Sequence, residues 1–129
     1  MAGPSFEQLS VERYVSLMTF RRNGTGVPVP IWVAPVDGKL YAVTNGTSAK
    51  MKRLKAVDRV RLAACDARGR VRGEWTDGKA RRVDEPAVLD RAIEALLAKY
   101  GWQVRVLDFF TRLTGRAKDR AFIEIEVTR

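Results

Sequence analysis

Thr44-Asn45-Gly46-Thr47-Ser48-Ala49-Lys50-Met51-Lys52-Arg53-Leu54-Lys55 reads as the end of a strand, a turn of small hydroxyl and amide residues, and a short helix carrying four cations. Ser48 is the expected N-cap, and the free N–H groups of the first helical turn point outward past it. Lys50, Lys52, Arg53 and Lys55 stand close by, a chemistry suited to holding an anion. Cations near a helix N-terminus oppose the helix dipole by about 0.3–1 kcal/mol each, and a bound phosphate reverses that sign.

Upstream of this segment the pattern is a meander of strands. Tyr14 to Phe20 has strand composition, and Arg22-Asn23-Gly24-Thr25 predicts a hairpin turn, because Asn-Gly tolerates positive φ. Val27 to Pro35 is extended and apolar, but Pro28 and Pro30 each remove a ladder donor, which argues for an edge strand or a locally unpaired stretch. Asp37-Gly38 is a second tight turn, and Lys39 to Thr44 is the third strand. An N-terminal arm over residues 1–10 carries Phe6 and Leu9 at the spacing of one helical turn.

Downstream, Asp58 to Asp66 predicts a fourth strand, with Val60, Leu62 and Ala64 on one face and Arg61, Ala63 and Cys65 on the other. Val71 to Val83 predicts a fifth strand, bent at Gly73, Asp77 and Gly78. The period then changes to helical. Asp84 is placed to cap, Pro86 sits in the first turn, Leu89, Ile93, Leu96, Leu97 and Tyr100 form one stripe, and Gly101 stops the helix. Trp102, Val106, Phe109, Phe110 and Leu113 predict a second helix ended by Gly115, and Phe122 to Val127 alternates as a sixth strand. The expectation is one domain over residues 1–129: a mainly β, six-stranded antiparallel barrel with two helices in its C-terminal half. A barrel of this size fills its interior with side chains, so a sizeable ligand has to lie outside it or between two copies.

The 129 residues suit a single domain, and no apolar run approaches the roughly 20 residues of a membrane span. The N-terminal residues, with Glu7 and Glu12, lack the layout of a secretion signal, so the expected location is cytoplasmic. Cys65 is alone and histidine is absent. Intramolecular disulfides, His-dependent nucleophile systems and most zinc sites are thereby excluded, and no metal is expected. Between Thr44 and Arg82 twelve Lys and Arg face four acids, so most of the net charge of +9 sits in the middle third. A field of that kind gathers acidic ligands.

The order of the Met18-Thr19-Phe20 strand, the Val27-to-Trp32 strand, Leu40 to Thr44, the Ser48-to-Leu54 helix and Val60 to Gly69 resembles the pyridoxamine-phosphate-oxidase-like split β-barrels, the FMN-binding split barrel type. More narrowly it is similar to the flavin/deazaflavin oxidoreductases that use coenzyme F420, with the Lys99-Tyr100-Gly101-Trp102 hinge and the closing Ile-Glu-Ile strand also fitting. This resemblance implies a homodimer with cofactor grooves between protomers. It implies a ring against Val29, Pro30, Ile31 and Trp32, and a phosphate-bearing tail held by Thr44, Ser48, Lys50, Lys52 and Arg53. Arg offers a planar fork, Lys a point charge and Ser or Thr a neutral donor for such a tail.

On this basis the expected activity is F420-dependent oxidation or reduction of a small organic substrate, the coenzyme supplying the hydride chemistry. A proton, where needed, comes from solvent, Tyr41 or an acid. FMN in the same fold and a non-catalytic F420 carrier are the alternatives. Nucleic-acid binding ranks lower, because between Thr44 and Arg82 only Trp75 is available to stack on a base. Each site residue also has a plain structural reading: Lys50 to Lys55 as a solvated helix face, Thr44 and Ser48 as turn and cap, Trp32 as core or interface.

Overall fold

The computed structural model describes residues 3–45, 49–101 and 120–128. In chain order the elements are α1 (Phe6–Ser10), β1 (Tyr14–Phe20), β2 (Gly26–Ile31), β3 (Ala34–Val36), β4 (Lys39–Asn45), α2 (Ala49–Ala56), β5 (Arg59–Cys65), β6 (Thr76–Val83), α3 (Pro86–Tyr100) and β7 (Arg120–Val127). The strands form one antiparallel sheet in the order β2-β1-β5-β6-β7-β4-β3. Its two edge strands, β2 and β3, are separated in sequence only by Trp32 and Val33. The three residue steps from Ile31 to Ala34 span no more than about 11 Å, so the sheet must curl until these two strand ends come close. The edges are adjacent without a ladder between them, and the barrel is split along that seam.

The expected Val27-to-Pro35 strand is therefore two strands, which makes seven among the described residues rather than six. Pro28 and Pro30 do lie on an edge strand, where a missing N–H can face the open side. The turns follow local chemistry. Asp37 and Gly38 both take positive φ, 50° and 81°, as a type I′ hairpin requires, and Gly24 has φ 91° beside an Asn23 side chain that accepts from the Thr25 N–H.

Inward positions alternate along the strands. Val15, Leu17, Leu40, Val60, Leu62, Ile123 and Ile125 fill the barrel and are fully buried; Leu9 of α1 joins them, and Phe6 packs against this core. The α1 turn is closed by a capping box, in which Ser5 and Gln8 satisfy each other's backbone N–H. A second apolar layer lies under α3: Ala92, Leu96 and Tyr100 pack on Ala34, Tyr41, Val83 and Phe122.

Three expectations shift in detail. The fifth strand starts at Thr76 rather than Val71, because Gly73 turns the chain with φ 121° and Val71 makes only a single bridge to Cys65. Asp84 does not cap α3: its carboxylate takes Arg82 at 3.2 Å, and Glu85 is the cap residue, with no side-chain bond and Pro86 at the first position. Leu97 stays exposed while Ala92 is buried in the helix stripe. The Ser48 cap and the helix expected after Trp102 lie outside the described residues. Among those residues no helix is long and apolar enough to cross a membrane.

Candidate functional site

β1 alternates, and its inward series Val15, Leu17, Thr19 ends in a hydroxyl where the pattern calls for an apolar group. Thr19 is fully buried, and its Oγ1 accepts from Arg53 Nε at 2.6 Å. α2 anchors Met51 and Leu54 in the core, and that sets where its cations go. Lys50 and Arg53, three residues apart, share one side of the helix. Lys50 Nζ donates to Thr44 Oγ1, at the end of β4, at 2.7 Å. The strand end, the helix and β1 thus meet at two hydroxyls and two cations.

Among the described residues no carboxylate lies within 4 Å of either cation. Burial, and then the neighbouring Arg53 charge, holds the Lys50 amine below its ordinary pKa. Arg53 is lowered by the same burial and by Arg21. Half-buried cations without a counter-charge are costly when empty, and an anion that brings them a charge is correspondingly favoured. A phosphate or carboxylate matches what remains open here: the terminal nitrogens of the Arg53 fork and the spare ammonium protons of Lys50.

Lys52 is not part of this cluster. It lies two residues from Lys50, roughly half a turn around the helix. With Lys55 it lines a groove of about 560 Å³ against β6.

At the seam of the barrel the ring residues separate by face. Val29 and Ile31 pair with Leu17 and Val15 on the inward face, Ile31 entering the core, while Pro30 is exposed opposite Ser16. Trp32 is half-buried and stacks on Tyr100 of α3, centroids 4.8 Å apart and planes 11° apart. Val33 leaves the ladder, and α3 satisfies its backbone: Tyr100 Oη accepts from the Val33 N–H at 3.0 Å, and the Val33 carbonyl accepts from Lys99 Nζ at 2.7 Å and lies 3.0 Å from Tyr100 Oη. The same phenol reaches the Arg13 carbonyl at 2.9 Å. Burial pushes the Tyr100 pKa up to about 12 and that of Lys99 down to about 8.

Tyr41 points to the outer face and donates to Glu124 Oε2 at 2.7 Å, while Lys39 and Arg81 hold Oε1 at 3.3 and 3.0 Å. Burial alone would raise the Glu124 pKa; the three hydrogen bonds, Tyr41's foremost, hold it below the usual carboxylate value. Desolvation and the Glu124 bond raise Tyr41 to about 12, so its proton is committed to the carboxylate. Of the residues expected at the site, Thr44, Lys50 and Arg53 come together, and Thr19 is the member that the sequence reading missed. The polar break in an otherwise apolar inward series was its signal.

The chain matches the family described as Pyridoxamine 5'-phosphate oxidase over residues 6–129. No curated protein matches the sequence. Among solved structures, a conserved hypothetical protein from Mycobacterium tuberculosis is 22% identical with a TM-score of 0.70, covering 96% of this chain and 78% of its own. An FAD-binding protein from Mesorhizobium loti is 21% identical with a TM-score of 0.62, over 94% of this chain and 83% of its own. An F420 reductase is 18% identical with a TM-score of 0.64, over 100% of this chain and 97% of its own. At these identities the likeness is one of fold.

Proposed function

Because the chain belongs to the pyridoxamine 5'-phosphate oxidase family, we propose that it is an oxidoreductase that binds the deazaflavin coenzyme F420 in a groove between two copies of itself. The observation that carries this reading is the pair Lys50 and Arg53, set beside Thr44 and Thr19 with no counter-charge among the described residues. The donor set fits a phosphate: a planar fork, a point charge and hydroxyls, gathered at the start of a helix and partly withdrawn from water. Thr44, Lys50 and Arg53 hold that phosphate directly, and Ser48, next to them in sequence, is the further hydroxyl expected to serve it. Lys52, on the other side of α2, contributes to the field rather than to a bond.

Bound there, the coenzyme supplies a hydride donor or acceptor for a small organic substrate. The chain's part is placement. The backbone of Val29, Pro30, Ile31 and Trp32 forms the wall for the ring, Val29 and Ile31 keeping their side chains inward, and the stack of Trp32 on Tyr100 holds that wall in place. Tyr41 is a poor proton source, since its proton is held by Glu124. The protein works as a cytoplasmic homodimer in which the second copy closes the groove.

FMN is the second reading, favoured by the fact that the Lys50–Arg53 donor set would accept its phosphate equally well. Titration of the purified protein with F420 and with FMN, followed by fluorescence, separates the two. Micromolar binding of F420, together with substrate-dependent oxidation of the reduced coenzyme, is the expected result. A yellow protein as purified favours FMN, and failure of F420 to bind at micromolar levels ends the narrower reading.

A further inference from the structure

α2 divides the positive field of the molecule in two. Lys50 and Arg53 face β4 and β1, whereas Lys52 and Lys55 face the groove of about 560 Å³ whose other residues are Met51, Leu54, Asp58, Ala80, Arg81 and Arg82. We propose that this groove binds a small organic anion with an apolar body, of the class of a medium-chain carboxylate, at a site separate from the Lys50–Arg53 pair.

The size is that of a small-molecule pocket, which spans roughly 300–1,000 Å³. Part of its lining is apolar: Met51, Leu54 and Ala80 are core residues that also border the groove. Lys52, Lys55, Arg81 and Arg82 line the same groove, and long cationic side chains of this kind can add methylene surface while keeping their charged heads in water.

The cations are not equivalent. Arg81 pairs with Glu124 at 3.0 Å, a carboxylate it shares with Lys39, and Arg82 pairs with Asp84 at 3.2 Å, so each already has an acidic partner. Lys52 and Lys55, three residues apart on one side of α2, have no acidic partner among the described residues. One acidic group is therefore what the groove lacks, at the Lys52–Lys55 end. Asp58 lies in the same groove and repels a second negative group, which selects a ligand with one acidic end over a polyanion. Charge complementarity at one end and apolar surface along the rest match a carboxylate on a short hydrocarbon better than a nucleic-acid strand, which needs cations throughout and aromatic platforms.

The test is an amide-resolved NMR titration of the full chain with octanoate, and with octanol as the uncharged control. Saturable shifts confined to residues 51–58 and 80–82 are expected with octanoate alone. Lys52→Ala with Lys55→Ala, both exposed positions, should weaken octanoate roughly ten- to hundredfold, the loss of one charged hydrogen bond. Lys50→Ala with Arg53→Ala should leave octanoate binding unchanged. The proposal is overturned if octanoate gives no saturable shifts at millimolar concentration, if octanol binds equally well, or if the Lys50/Arg53 variant rather than the Lys52/Lys55 variant abolishes the effect. Displacement of octanoate by a single-stranded oligonucleotide of higher affinity would also overturn it. None of these outcomes depends on whether the redox coenzyme is F420 or FMN.

Discussion

Lys99 titrates near 8 because of where α3 ends. Its ammonium is half-buried against the Val33 carbonyl and stands 5.1 Å above the Tyr100 ring; burial lowers its pKa most, Arg13 lowers it further, and Glu12 opposes both. Below about pH 8 both folded and unfolded chains carry this proton, and the desolvated charge weighs fully against the fold. Between there and the ordinary lysine value of about 10.4, the unfolded chain binds more protons, so this group's contribution to stability rises with pH. Competitive acetylation read by peptide mass spectrometry should show Lys99 titrating well below the other lysines. The advantage in Tm of Lys99→Met over the native protein should shrink as pH rises through that window. The anion cluster makes a second prediction at this scale. Lys50→Ala with Arg53→Ala should cost several kcal/mol of coenzyme affinity, at about 1.5–3 kcal/mol per charged hydrogen bond, in the same fluorescence titration. Unchanged affinity would return the segment to a solvated helix face.

At the scale of elements, β6 and β7 show how close two strands come. A Cβ built on Gly78 would lie 2.7 Å from the Glu126 carbonyl oxygen and 3.0 Å from Leu62 Cδ1, and the backbone side of that contact cannot yield cheaply. Gly78→Ala should therefore destabilise the sheet by about 1–3 kcal/mol in urea unfolding, where an exposed strand glycine would gain stability from the same change. Gly78 reads in the sequence as a soft point in a bent strand; in the fold it is a tight one, paired with Val60 and Val127 in regular register. The difference is instructive about what was legible. Asn23-Gly24, Asp37-Gly38, Pro86 and Gly101 report their own backbone needs, so turns and the ends of α3 could be read locally. Which strand lies beside which depends on residues far apart. The seam at Trp32 and Val33 and the Tyr41–Glu124 contact across 83 positions have no local signature. The Thr44–Lys50–Arg53 cluster could be read because its residues are nearly contiguous; Thr19 left only a polar break in its own strand, and nothing local tied that break to Arg53.

At the scale of the molecule, the net charge of +9 and its concentration between Thr44 and Arg82 create a field that acts before any contact forms. Coenzyme association measured by stopped flow should slow steeply as ionic strength rises from roughly 0.01 M to 0.15 M, where the Debye length falls from about 30 Å to 8 Å. With the coenzyme held as proposed, by direct contacts to Lys50 and Arg53, dissociation should change much less. A similar salt response in both rates would place the binding energy in long-range attraction rather than at that pair.

The position of β7 carries a consequence for how the chain comes into being. Among the described residues it is the last strand in chain order, yet it lies between β6 and β4, and both of those present bare edges until it arrives. During synthesis the β1–β2 hairpin and the β5–β6 pair can assemble as they emerge, but the barrel cannot close before residues 120–127 are free of the ribosome. The nascent chain is therefore most exposed to aggregation after β4 and β6 have emerged and before β7 follows, and the strand that ends that vulnerability also delivers Glu124 to Tyr41.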